Sequence, residues 1–277
     1  MHVPEKRNRK AGKSLRELRR PACALLAGIL LLPVAARGAD TATLDQALAK
    51  TSKSVERFWN QFSSVTCTES VTQEKLGKEG KPEYRQDSVF DYLILMSLKQ
   101  DELTVEESRL LQKSDGKAKN LPLLTTRGFP TLLLVFHPYY LEDYRYELDG
   151  EEKVGGRTLT RIKFEHIPGK RSTSALALRG RDYPLDMKGT AWVEPDTGVV
   201  RKISAALVAP LDDLNLKVLT TDVIYEPEKF PEVQDQVFWL PSTATIEVET
   251  ARQHWRNTHR FSGYKQFSVS SDSKVGK

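Results

Sequence analysis

Cysteine is scarce in this chain, with only Cys23 and Cys67 among 277 residues. One of them falls in a leader segment, so no internal disulfide staples the fold, which must stand on its core. Histidine is also scarce, with five residues. His254 and His259 are the nearest pair; five apart on a strand they face opposite sides and cannot jointly grip an ion. There is no HExxH, CxxC or Asp-rich calcium loop, which argues against a metal centre. No GxSxG elbow, GxGxxG or Walker-type loop occurs either, so the familiar nucleophile, dinucleotide and phosphate sites have no sequence basis. Glu247 and Glu249 share one strand face with Thr243 and Thr245, which reads as an outer, wet face rather than an acid–base pair. The chain therefore offers no case for an enzyme and calls for no cofactor.

A basic start is present. Lys6, Arg7, Arg9, Lys10, Lys13, Arg16, Arg19 and Arg20 precede the apolar run Ala22–Ala36, which ends in small residues. Residues 1–38 thus read as a secretory signal peptide. A retained membrane anchor is the rival reading, although the apolar run is shorter than the ~20 residues of a spanning helix. The full chain carries 42 basic and 37 acidic residues. Nine of the basic and two of the acidic ones belong to the leader, so the remainder is slightly acidic, at about −2. The apparent basicity is an address, and nucleic-acid binding is excluded with it. The expected product is an exported protein, periplasmic or secreted.

Beyond the leader, Thr41–Phe62 shows helical spacing, with Leu44, Leu48, Val55, Phe58 and Phe62 on one side. The period then switches to two. Strands are expected at Val65–Lys75, Tyr84–Leu98, Leu103–Lys113, Tyr140–Leu148, Arg157–Ile167, Gly189–Glu194, Val199–Ala209, Leu216–Tyr225, Phe238–Glu249 and His254–Val269. Asp149-Gly150 is expected to turn the chain after Leu148. About ten strands at hairpin spacing, without βαβ alternation, predict an α+β, mostly β fold built on a strongly curved antiparallel sheet. Cys67 reads as a half-buried strand residue rather than a reactive thiol.

Two stretches carry surplus apolar surface. The second strand is apolar on both faces, with Phe90, Tyr92, Ile94 and Met96 on one of them; such a strand is covered twice or lines a cavity. Thr131–Phe136, between Pro130 and Pro138, reads as a short helix apolar all round, sandwiched or lying over something greasy. Its Leu132, Leu133 and Phe136 join the cavity candidates, as does Trp192. Pro168–Lys188 reads as a long solvated connection around Ala175–Leu178. With Arg171, Arg179 and Arg181 it could also act as a flap touching acidic headgroups.

The hairpin Trp192-Val193-Glu194-Pro195-Asp196-Thr197-Gly198-Val199-Val200-Arg201-Lys202-Ile203 carries a resemblance. So do Phe238-Trp239-Leu240-Pro241 and the closing Phe261-Ser262-Gly263-Tyr264-Lys265-Gln266-Phe267. In this order, after an exported helix and a Ser/Thr-rich strand, they resemble the periplasmic lipoprotein-carrier superfamily, the LolA/LolB-like proteins, over roughly residues 41–269. The resemblance implies an unclosed antiparallel β-barrel whose concave side is covered by helices, with acyl chains between them. It also implies a functional arginine that no motif pins to one position; Arg127 is the candidate and joins the headgroup set. The domain plan is a leader (1–38), one LolA/LolB-like domain (39–269) and a flexible tail (270–277).

The expected function is non-catalytic. An apolar cavity holds a lipid or lipoprotein acyl chain, with transient membrane contact and envelope proteins as further partners. The alternative is an envelope interaction module with a fully packed core and no ligand.

Overall fold

The computed structural model describes residues 36–63, 65–99, 102–114, 125–178, 181–231 and 236–266. The proposed leader (but for its last three residues) and tail lie outside this set. Helix α1 (Ala36–Phe62) is followed by β1 (Val65–Leu76), β2 (Pro82–Lys99), β3 (Glu102–Ser114) and the short β4 (Thr125–Arg127). Next come β5 (Tyr144–Val154), β6 (Arg157–His166), β7 (Ala175–Leu178), β8 (Arg181–Pro184) and β9 (Met187–Val193). Strands β10 (Val200–Leu207), β11 (Leu216–Glu228), β12 (Phe238–Thr250) and β13 (His254–Gln266) complete the order. Among the described residues no helix is long and apolar enough to cross a membrane.

The ten strands expected from the sequence form one antiparallel, unclosed sheet in the order β3-β2-β1-β13-β12-β11-β10-β9-β6-β5. Pairing of β1 with β13 joins the early and late parts of the chain, with Val71 opposite His259. Alternation selects the inward face. On β1 it buries Val65, Cys67, Glu69 and Val71; on β12 it buries Ala244, Ile246 and Val248. Helix α1 packs its Val55–Phe58–Phe62 stripe onto that face, as its spacing requires. The Phe58 ring meets Tyr225 edge-on at 6.1 Å, and Phe62 meets Tyr264 at 6.5 Å.

Three expectations need correcting. Asp149-Gly150 does not end a strand. Gly150, at φ +79°, sits in a register shift inside β5, and the chain turns at Gly155-Gly156 instead. The connection Pro168–Lys188 is not a solvated loop. It folds into the β7–β8 hairpin, which joins β4 in a second, three-stranded sheet and buries Leu176, Leu185 and Met187. Alternating small and apolar residues too short to read as strands hide this hairpin. The apolar segment after Pro130 is a 3-10 helix, Leu132–Phe136, because Leu134 N–H bonds back three residues to Thr131 and His137 to Leu134. Pro138 opens a second 3-10 turn, Pro138–Asp143, which delays β5 to Tyr144.

Leu132–Phe136 lies wholly inside, each residue at most 3% exposed. Irregular backbone in such a place must find partners. Tyr225 supplies two: its hydroxyl donates to the Pro130 carbonyl at 3.1 Å and accepts from Leu133 N–H at 3.4 Å. The Tyr146 hydroxyl donates to the Val135 carbonyl.

Tyr225→Phe keeps the ring and strands both backbone groups, so it should cost about 1–3 kcal/mol. Urea unfolding should show a lower midpoint with an unchanged slope; an unchanged midpoint would remove Tyr225 from this role.

Candidate functional site

The interior is packed differently at its two ends, and the sizes of side chains on α1 explain the first. Its C-terminal half fills the sheet with Val55, Phe58 and Phe62. Towards its N-terminus Leu44 and Leu48 still pack against the core, while Thr43 and Ala47 beside them are small. Thr51 is fully buried, and its hydroxyl donates to the Ala47 carbonyl at 2.8 Å. Small side chains leave room, and here a cleft of about 310 Å³ opens between α1 and the β5–β6–β9 end of the sheet. Ala47, Leu148, Ile162, Val193 and Pro195 give it apolar walls, with Lys50 and Glu151 among its polar lining residues. Lys50 Nζ donates to the Pro195 carbonyl at 2.8 Å. The helix is held close there: a Cβ on Gly198, at φ +72°, would stand 2.2 Å from the Lys50 carbonyl oxygen. Only glycine allows that approach.

At the other end, β1, β2, β3 and β13 turn an ionic group inward. Glu69, with no exposed surface, accepts from Arg109 Nε at 2.7 Å and Nη2 at 3.1 Å. It also accepts from His259 Nδ1 at 2.8 Å. Arg109 Nη1 reaches Glu107 at 2.6 Å, and Glu107 accepts from Gly128 N–H at 2.8 Å. The Arg109 guanidinium lies 4.8 Å over the Tyr92 ring. Burial alone would raise the Glu69 carboxyl, but the His259 hydrogen bond and the Arg109 charge outweigh it and hold it below the usual carboxylate range. Burial, then the Glu69 charge, pushes the neighbouring Cys67 thiol up to about 12. The group can therefore lock four strands and the Gly128 turn together, and it holds no reactive thiol.

The residues singled out from the sequence spread over several places. Tyr92 and Ile94 are buried, Phe90 and Met96 half-buried. Leu132, Leu133 and Phe136 are packed solid; Phe136 stands 5.4 Å from the Tyr146 ring and 6.0 Å from Phe164. None of these lines the cleft. Trp192 lies on the outer face, because Ala191 and Val193 take the inward positions. Its indole N–H donates to Glu152 at 2.9 Å, and Lys202 stands 4.8 Å over the ring.

The arginines do not converge either. Arg127 is exposed and paired with Asp182 at 3.3 Å. Arg171 is held by Asp143 at 2.8 Å and stacks 3.9 Å over Tyr139. Arg181 sits exposed at the far end of β8, opposite Leu178. Arg179 lies outside the described residues.

Sequence reasoning singled out neither the cleft nor the ionic group. The cleft's signal was the pair of small residues Thr43 and Ala47, four apart on α1. The ionic group's signal was Glu69, a carboxylate at an inward position between Cys67 and Val71. Among the described residues, no three His, Cys, Asp or Glu side chains gather to hold a metal ion.

No family model and no curated protein matches the chain. It is similar to a solved DUF1329 family protein from Desulfovibrio piger at 13% identity and TM-score 0.41, over 86% of this chain and 97% of that one. A LolA superfamily protein from Nitrosomonas europaea shares 9% identity at TM-score 0.36, over 79% and 94%. A domain described as an outer membrane lipoprotein-sorting protein, from Vibrio parahaemolyticus, shares 11% at TM-score 0.35, over 82% and 94%. These are likenesses of fold.

A carboxyl held low when folded adds stability above the unfolded glutamate value of about 4.3, and loses it as pH falls through the lower folded value. Urea midpoints measured from neutral to acid pH should fall less steeply for Glu69→Gln than for the wild type; parallel curves would contradict the Glu69 assignment. Cys67 should resist thiol reagents in native protein and label only on unfolding, read by peptide mass. Native labelling would show the site open.

Proposed function

We propose that the protein is an exported, non-catalytic binder that holds one slender apolar ligand, of acyl-chain type, in the cleft beneath the N-terminal half of α1. A single domain, residues 39–269, does this after the leader has directed export. The supporting observation is a cleft with apolar walls, Ala47, Leu148, Ile162 and Val193, between α1 and the sheet. Leu132–Phe136 fills the middle of the interior, and the cleft lies beside it. At about 310 Å³ the cleft lies at the lower end of ordinary ligand sites. Each methylene taken from water adds about 0.8 kcal/mol, so an acyl chain needs no polar chemistry to bind. Lys50 at the lining suits an anionic end group.

One observation favours the alternative, an envelope interaction module without ligand. The apolar segment expected to cover a cavity is itself the packing of the interior.

Native mass spectrometry of purified protein and uptake of a fluorescent fatty acid separate the two readings. Under the binder reading, Ala47→Trp fills the cleft and weakens uptake by about tenfold or more, the worth of two buried methylenes. A clean apo mass with no uptake, or uptake untouched by Ala47→Trp, would overturn it.

A further inference from the structure

The inward positions near the end of β6 are Ile162, Phe164 and His166, and the last of them is not apolar. His166 is only 1% exposed, and it stands where the chain leaves for the β7–β8 hairpin and returns from it. Its Nε2 lies 2.9 Å from the Arg171 carbonyl oxygen, on the outgoing arm. Its Nδ1 lies 2.8 Å from a carboxylate oxygen of Asp186, on the returning arm. The ring thus bridges the two arms at the neck of the hairpin.

Both partners of the ring are acceptors, so Nε2 must carry a proton to meet the carbonyl. In a neutral imidazole Nδ1 would then turn a bare lone pair towards a carboxylate. In the imidazolium it turns an N–H there instead. We propose that His166 is a proton-dependent clasp on the neck of the β7–β8 hairpin: the imidazolium draws Arg171 and Asp186 together, and loss of its Nδ1 proton loosens them.

The other groups around the ring leave this role to Asp186. The Arg171 guanidinium is turned away, to Asp143 at 2.8 Å and the Tyr139 carbonyl at 2.7 Å, so the Asp143 charge on the preceding turn is already met. Tyr144 of β5 packs edge-on against the imidazole at 5.1 Å, and burial raises its hydroxyl, which stays neutral. Among the described residues, His166 is the one ion-pair partner of Asp186.

The neck holds more than itself. The Ser172 hydroxyl donates to the Leu185 carbonyl at 2.7 Å, and Leu185 N–H donates to the Ser174 carbonyl at 3.0 Å. Its closure keeps Leu176, Leu185 and Met187 buried and holds the Thr173 carbonyl against Gly128. The clasp is strongest in acid and weakens as pH rises, opposite in sign to the Glu69 group, whose contribution is lost in acid. It holds whether or not the cleft takes a ligand.

Hydrogen exchange tests this on the purified protein, read at the Leu185 amide with the amides of β12 as control. After division by the intrinsic exchange rate, protection at Leu185 should fall by about tenfold from about pH 5 to about pH 8, and β12 should not follow. In Asp186→Asn, at a side chain 44% exposed, the new amide can donate to a bare Nδ1 or accept from a protonated one. Protection at Leu185 should then lose its pH dependence. Nitrogen NMR should find His166 protonated on both ring nitrogens at the acid end and on Nε2 alone at the other. Level protection at Leu185 in the wild type overturns the proposal. So does an Asp186→Asn variant that keeps the wild-type slope, or a neutral ring that carries its proton on Nδ1.

Discussion

The structure depends on one constraint: irregular backbone passes through the middle of an apolar hollow, and its hydrogen bonds must be met there. A strand meets this need through its ladder, but residues 128–143 have left the sheet. Their own i to i+3 bonds serve part of the need. Side chains from the sheet and flanking strands serve the rest: Tyr225 for Pro130 and Leu133, Tyr146 for Val135, and Glu107 for Gly128. Unpaired buried backbone groups cost about 1–3 kcal/mol each, so the position of the segment follows from where these donors and acceptors stand. Tyr225 also braces α1 through Phe58. One residue therefore fixes the internal segment and the helix against the same strand.

The ionic group at the β1–β3 end belongs to this logic. A buried pair is poor evidence of net stability, because desolvation offsets the attraction. Its worth here is positional. Glu107 faces Arg109 on one side and the Gly128 amide on the other, so the charge cluster sets the point at which the chain leaves β4 for the interior. Gly128 must be glycine there: it has φ +79°, and a Cβ would stand 2.2 Å from the Thr173 carbonyl oxygen. The hairpin built from Pro168–Lys188 therefore presses on the same turn that the ionic group holds.

Much of the fold was legible because period-two patterning reports directly on a sheet with one buried face. The ten strands of the large sheet could be read that way, the N-terminal helix from its own spacing and the apolar segment from its composition. Three features could not. Strands β7 and β8 are four residues each, too short for a period to show. Gly150 carries a turn signal, yet tertiary pairing with β6 absorbs it as a register shift. Leu132–Phe136 announces its burial by composition, but not whether it covers a space or fills one. The site was read less well for this reason. Excess apolar surface marks what is inside and says nothing of where packing is incomplete, whereas the small residues of α1 do. Trp192 shows the converse: its size suggests the interior, but its neighbours Ala191 and Val193 claim the inward positions.

The distribution of volume bears on what can be bound. If Leu132–Phe136 lay on the rim, the sheet's hollow would offer a site open across several strands. Because the segment is inside, with at most 3% of any residue exposed, the chain occupies that part of the hollow itself. The cleft of about 310 Å³ lies to one side of that segment, between a helix and three strands. Thr43 and Ala47 line it from the helix, and at its edge Gly198 approaches the Lys50 carbonyl closely. How near the helix is held to the sheet there is fixed by a glycine and a hairpin that themselves line the cleft.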